Sequence, residues 1–85
     1  MIIDYHKDFI KDFKKLPKKI QSKFKERQVL FEKNEFDPLL NNHALKGKWL
    51  GYRSLNVMGD IRAVFKKSTD SAIFAATDSH SNLYG

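Results

Sequence analysis

The apolar period changes once along this 85-residue chain, and that change constrains its architecture more than any other feature. Before residue 34 the apolar side chains recur at helical spacing, and after residue 52 they alternate. Phe9, Ile10, Phe13 and Leu16 form the first helical set, with Lys11, Lys14 and Lys15 on other faces. Pro17 interrupts it, because proline disfavours helical geometry at the residue before it yet suits the first position of a new helix. A second helix is therefore predicted from Pro17 to Lys33, with Ile20, Phe24, Leu30 and Phe31 facing inward. Asn34 is placed to close it in left-handed geometry, and Pro38 prevents its resumption. So short a joint folds the two helices back on each other.

The second half reads as strands. Asp37–Trp49 is loop-like, whereas Tyr52–Val57 and Ile61–Lys67 alternate across Met58-Gly59-Asp60 and predict a β-hairpin. With a three-residue loop, Val57 opposes Ile61, Leu55 opposes Ala63 and Asn56 opposes Arg62. Leu55, Val57, Ile61, Ala63 and Phe65 then share one face, and Ser54, Asn56 and Arg62 share the other. A two-residue loop would set Arg62 among apolar side chains, where an unpaired guanidinium is costly. Arg53 falls on the apolar face, so it must reach out along its stem or find a partner. Ser68–Ser71 is a turn cluster, and Ala72–Thr77 is apolar enough for a central strand covered on both faces. A polar tail with Tyr84 near its end follows. Residues 1–5 suit a further strand, so the order is β-α-α-β-β-β. The predicted class is α+β: a helical hairpin on one face of a small, mainly antiparallel sheet whose other face stays partly polar.

Composition narrows the function. A chain this short is expected to be one domain, residues 1–85. Without cysteine there is neither a disulfide framework nor a thiolate metal site nor a cysteine nucleophile. The longest apolar run, Ala72–Ala76, falls far short of the roughly 20 residues a membrane span needs, and the first residues do not read as a secretory leader. A soluble, cytosolic protein is the expectation. Its formal charge of +6 is uneven: residues 1–33 hold ten Lys/Arg against five Asp/Glu, whereas the rest is nearly balanced. Such a basic belt either solvates helix faces or attracts a polyanion.

The chemistry must come from few groups. His6 belongs at a helix start, as a surface residue or donor, whereas His43 and His80 flank the strands, where functional groups concentrate. No two histidines stand at metal-ligand spacing, so no metal site and no cofactor is expected. Metal-free RNA cleavage fits these residue types better. It needs a base for the ribose 2′-hydroxyl, an acid for the departing 5′-oxygen and cations at the phosphate. Imidazoles serve both proton transfers near neutrality, and Arg62, Lys46 and Lys48 supply charge. Trp49, Tyr52 or Tyr84 can stack on a base; Trp49 is equally suited to a place in the core beneath the helices. Asp60 is either ordinary turn chemistry or a partner for a histidine.

The stretches His43–Ser54, Gly59–Phe65 and Ser79–Tyr84 carry a His-x-Leu-x-Gly-x-Trp block, a Gly-Asp-Ile-Arg turn and a His-Ser-x-Leu-Tyr ending. Over essentially the whole chain this resembles the RelE/ParE toxin superfamily, in its YafQ-like branch. The resemblance implies a type II toxin that cleaves mRNA on the ribosome and is neutralised by a cognate antitoxin in a hetero-oligomer. By position it implies His43, Asp60, His80 and Tyr84 as catalytic, with Arg62 on the substrate phosphate and Asn56, Lys46, Lys48 and Arg53 assisting in binding. Asn56 stands where such toxins often have a histidine; an amide hydrogen-bonds a phosphate or ribose but carries no proton, so acid–base work shifts to His43, His80 and Asp60. The alternatives are a ParE-like gyrase inhibitor without nuclease chemistry and a degenerate module that only binds nucleic acid or antitoxin.

Overall fold

The computed structural model describes residues 1–84. The chain runs β1 (Ile2–Tyr5), α1 (Lys7–Lys14), α2 (Lys18–Lys33), β2 (His43–Ala44), β3 (Arg53–Met58), β4 (Ile61–Lys67), β5 (Ser71–Ser79) and α3 (His80–Tyr84). Two 3₁₀ turns, Pro38–Leu40 and Gly47–Trp49, flank β2. The strands form one sheet in the order β1-β5-β4-β3-β2, parallel between β1 and β5 and antiparallel elsewhere. The expected α+β class holds, with β2 and α3 added.

The helical hairpin covers one face of the sheet. Phe9, Phe24 and Phe31 bury against Leu55, Val57, Ala63, Phe65, Ala72 and Phe74. Phe74 is the hub of this cluster, its ring centroid lying 5.2–5.9 Å from those of Phe9, Phe24, Phe31 and Phe65. Ile10 belongs to the helical set by spacing but stays 43% exposed, at the rim of a groove between the helices. The joint is closed by Gln21, whose Nε2 donates to the Leu16 carbonyl and to the Phe13 carbonyl, which also accepts the Leu16 N–H at the end of α1. His6 does open α1, as an acceptor: its Nδ1 receives the Asp8 N–H at 3.0 Å.

Three local expectations are corrected. Asn34 is extended (φ −157°), because its side chain accepts the Phe36 N–H and makes a turn of its own. The left-handed asparagine is Asn41 (φ 46°), closing the turn over Pro38–Leu40. Asp37–Trp49 is structured rather than loop throughout. The β3–β4 turn has two residues, not three, since Met58 pairs with Ile61 and Gly59 takes φ 53°. A bulge at Val57 reconciles this turn with the predicted pairs Leu55–Ala63 and Asn56–Arg62, so Arg62 still faces away from the apolar cluster. The bulge also lets Val57 and Met58 both reach the core, and Arg27 Nε of α2 donates to the Val57 carbonyl.

A second bulge lies at Ala75, where the β4–β5 register shifts between Val64 and Phe65. It flips the parity of β5: Ala72 and Phe74 face the helices, whereas Ala76 joins Val64 and Leu83 on the far face. Leu45, Trp49, Tyr52 and Tyr84 pack around that second cluster. The far face is thus partly apolar, because the expected polar tail is helix α3 lying on it. Ser79 Oγ accepts the Asn82 N–H at 3.2 Å and caps this helix, and Leu83 anchors it.

Candidate active site

Sheet alternation and strand register place the polar candidates on the face opposite the helical hairpin, in two transverse rows. His43, Ser54, Val64 and Ala76 are cross-strand partners in the first row, and Asn56, Arg62 and Asp78 in the second. Two residues along a strand separate the rows by about 7 Å. α3 lies beside them and brings His80 and Tyr84. The Tyr84 hydroxyl donates to Ser54 Oγ at 2.8 Å, and the His80 ring meets the Tyr84 ring edge-to-face at 4.8 Å. Tyr84 therefore joins His80 to Ser54, and His43 is the cross-strand partner of Ser54. Both imidazoles are exposed.

His43 has a defined tautomer. Its Nδ1 lies 2.8 Å from the Asn41 carbonyl oxygen, which can only accept. Nδ1 therefore carries the proton, and the lone pair of neutral His43 sits on Nε2. The left-handed backbone of Asn41 aims that carbonyl, so a strained residue two positions upstream sets which nitrogen is basic. The His80 N–H donates to the Asp60 carbonyl at 2.9 Å. Asp60 thus holds the start of α3 through its backbone rather than through its carboxylate.

Arg62 Nη1 donates to the Gly59 and Ile61 carbonyls, which holds the guanidinium at the hairpin end. Across from it, Asn56 buries Oδ1 with no hydrogen-bond partner. Lys46 and Lys48 flank Gly47 beside Trp49 and Tyr84, around a cleft of about 360 Å³. Trp49 lies on this face, not beneath the helices: its Nε1 donates to the Leu83 carbonyl at 3.1 Å and its ring meets Tyr52 at 5.3 Å. Tyr52 in turn carries Lys66 over its ring at 5.7 Å.

Arg53 is the one candidate the fold keeps apart. It shares the helix-side face with Leu55 by alternation, where Asn42 Oδ1 accepts from Nε at 2.7 Å and Phe36 lies beneath the guanidinium. Two residues of the far face were missed by the sequence reading. Ser54 is fully buried under Tyr84, and Asp78 accepts from Ser79 N and Asn82 Nδ2 at the start of α3. Only the register of β5, with its bulge, reveals Asp78 as the partner of Arg62. Among the described residues, no three His, Asp, Glu or Cys side chains gather into a metal-binding set.

The whole chain, residues 1–85, matches the family model described as the bacterial toxin of type II toxin–antitoxin systems, YafQ. The chain belongs to the YafQ toxin family. Solved structures agree with this membership. YafQ from E. coli strain BL21(DE3) superposes with a TM-score of 0.83 at 28% identity, covering 98% of this chain and 97% of that one. YafQ in the E. coli DinJ–YafQ complex gives 0.81 at 29% identity, with 98% and 97% coverage. The YoeB/ParE toxin from Agrobacterium tumefaciens shares the fold at 18% identity, with a TM-score of 0.76 and coverage of 94% and 99%. No curated protein sequence is detectably similar to the chain. The YafQ-like resemblance and the RelE-like architecture expected from the sequence both hold.

Proposed function

We propose that this YafQ-family toxin is a ribosome-dependent endoribonuclease that cuts mRNA by metal-free acid–base catalysis. The observation that carries the reading is the placing of both imidazoles about one sheet face, His80 against Tyr84, which bonds Ser54, and His43 opposite Ser54, with Arg62 in the adjacent row. Neutral His43, whose lone pair lies on Nε2 when Nδ1–H is held by Asn41, accepts the proton of the ribose 2′-hydroxyl. The 2′-oxygen attacks phosphorus and the P–O5′ bond breaks. Protonated His80 gives its proton to the departing 5′-oxygen, leaving a 2′,3′-cyclic phosphate and a 5′-hydroxyl. Arg62, turning from the Gly59 carbonyl, neutralises the phosphate oxygens as charge gathers there. Asn56 contributes a hydrogen bond and no proton. Asp60 and Tyr84 act by holding α3, and Arg53 acts on the loop at Asn42 rather than on substrate.

The basic belt on α1 and α2 suits docking to ribosomal RNA, an attraction that weakens with salt. The partner is a cognate antitoxin whose acidic or amphipathic segment covers the cationic face in a toxin–antitoxin hetero-oligomer, as DinJ accompanies YafQ in the E. coli complex. The setting is cytoplasmic, where translating ribosomes are; among the described residues no helix is long and apolar enough to cross a membrane. In a purified translation system the protein is expected to leave phased cuts in the message, with His43→Ala and His80→Ala each abolishing them. An intact message, or trapped gyrase–DNA complexes in its place, would overturn the assignment.

A further inference from the structure

The cleft between the 3₁₀ turn and α3 has no part in the proton transfers, yet it opens beside them. Its lining is Lys46, Gly47, Lys48, Trp49 and Tyr84, and its volume is about 360 Å³, within the usual range for a small-ligand site. Both aromatic walls are held in place. Trp49 is fixed by its hydrogen bond to the Leu83 carbonyl and by Tyr52, and Tyr84 by its hydrogen bond to Ser54. Rigid aromatic walls lose little freedom when a flat ring settles on them. Two lysines at the same cleft supply the opposite requirement, charge for an anion, and no acidic side chain lines it. Gly47 takes φ 64°, a conformation L side chains rarely adopt, so the turn that brings Lys46 and Lys48 to one cleft depends on glycine there.

We infer that this cleft binds one unpaired ribonucleotide of the message next to the cut, its base against Trp49 and Tyr84 and its phosphate between Lys46 and Lys48. The inference rests on the nuclease reading for its substrate, and it adds a recognition subsite to that reading. Tyr84 joins the two: its ring borders the cleft and also packs against His80. A base seated there positions the neighbouring ribose and phosphate relative to the imidazoles. Duplex RNA is excluded, since its bases are already stacked and paired.

Trp49 is the only tryptophan, so its fluorescence reports the cleft directly. The probe is a trinucleotide with 2′-O-methyl riboses, which cannot be cut, titrated into the full chain without ribosomes. Saturable quenching is expected. An abasic trinucleotide with the same phosphates should bind about five- to 150-fold more weakly, the loss of one base stack. Lys46→Ala with Lys48→Ala should flatten the slope of log affinity against log salt by about 0.7, the contribution of one neutralised phosphate on a single strand. The same sequence in a duplex should leave the fluorescence unchanged. Absent quenching, equal binding of the abasic probe, or an unaltered salt slope in the double variant would each overturn the subsite. The nuclease reading fails separately: a chain that quenches normally yet leaves messages intact on ribosomes keeps the cleft and loses the chemistry.

Discussion

The hydrogen bond between Tyr84 and Ser54 fastens α3, and with it His80, to the sheet. Removing its donor by Tyr84→Phe keeps the ring that packs on His80 but leaves Ser54 Oγ, 0% exposed, with no partner. A buried acceptor that loses its donor costs about 1–3 kcal/mol. In a chain of 85 residues each kcal/mol lowers Tm by about 4–8 °C, so the expected drop runs from about 4 to about 24 °C. Ser54→Ala should cost less, about 0.5–1.5 kcal/mol, because the half-buried Tyr84 hydroxyl can turn to water. The double variant should therefore be more stable than the sum of the singles implies, by a coupling of about 0.5–1.5 kcal/mol. Urea unfolding of the four proteins measures this directly, with the m-value unchanged. Costs that simply add, within about 0.3 kcal/mol, would show that the contact does not hold α3 and refute the reasoning.

Burial raises the Tyr5 pKa above its usual value of 10, helped by Glu32 and opposed by its hydrogen bond to Gln28. The folded state therefore keeps this proton longer than the unfolded chain, so stability should fall as pH rises past 10. Ultraviolet titration should show one late phenol that Tyr5→Phe removes; three tyrosines titrating together would count against it. Phe31→Ala empties a fully buried site against Phe65 and Phe74 and should cost about 3–5 kcal/mol, visible as a large Tm loss. Asn41→Gly preserves the left-handed backbone and should retain message cutting, whereas Asn41→Val strains it and should lose most cutting. Equal activity of the two would mean that the Asn41 carbonyl does not orient His43.

The two periods of the sequence carried the layer architecture, because helical spacing and alternation each commit one face to the core. What they could not carry was parity. The bulges at Val57 and Ala75 each insert a residue with no signature of their own, and the second decides which side of β5 faces the site. Hence Asn56 and Arg62 were legible as a pair, but Asp78 was not. α3 was hidden because its five residues hold one apolar anchor, Leu83, and only the Ser79 cap marks its start. Arg53 was correctly read as stranded on the apolar face. Its answer, Asn42 and Phe36, came from a loop without period.

The division of labour between the imidazoles can be tested with a message whose bridging 5′-oxygen at the cut is replaced by sulfur. That leaving group needs no proton. Ribosome-bound His80→Ala protein is expected to cut the sulfur message at a rate near that of the unaltered protein, while His43→Ala protein remains inactive on it. Rescue of His43→Ala instead, or failure to rescue either variant, would contradict that division of labour.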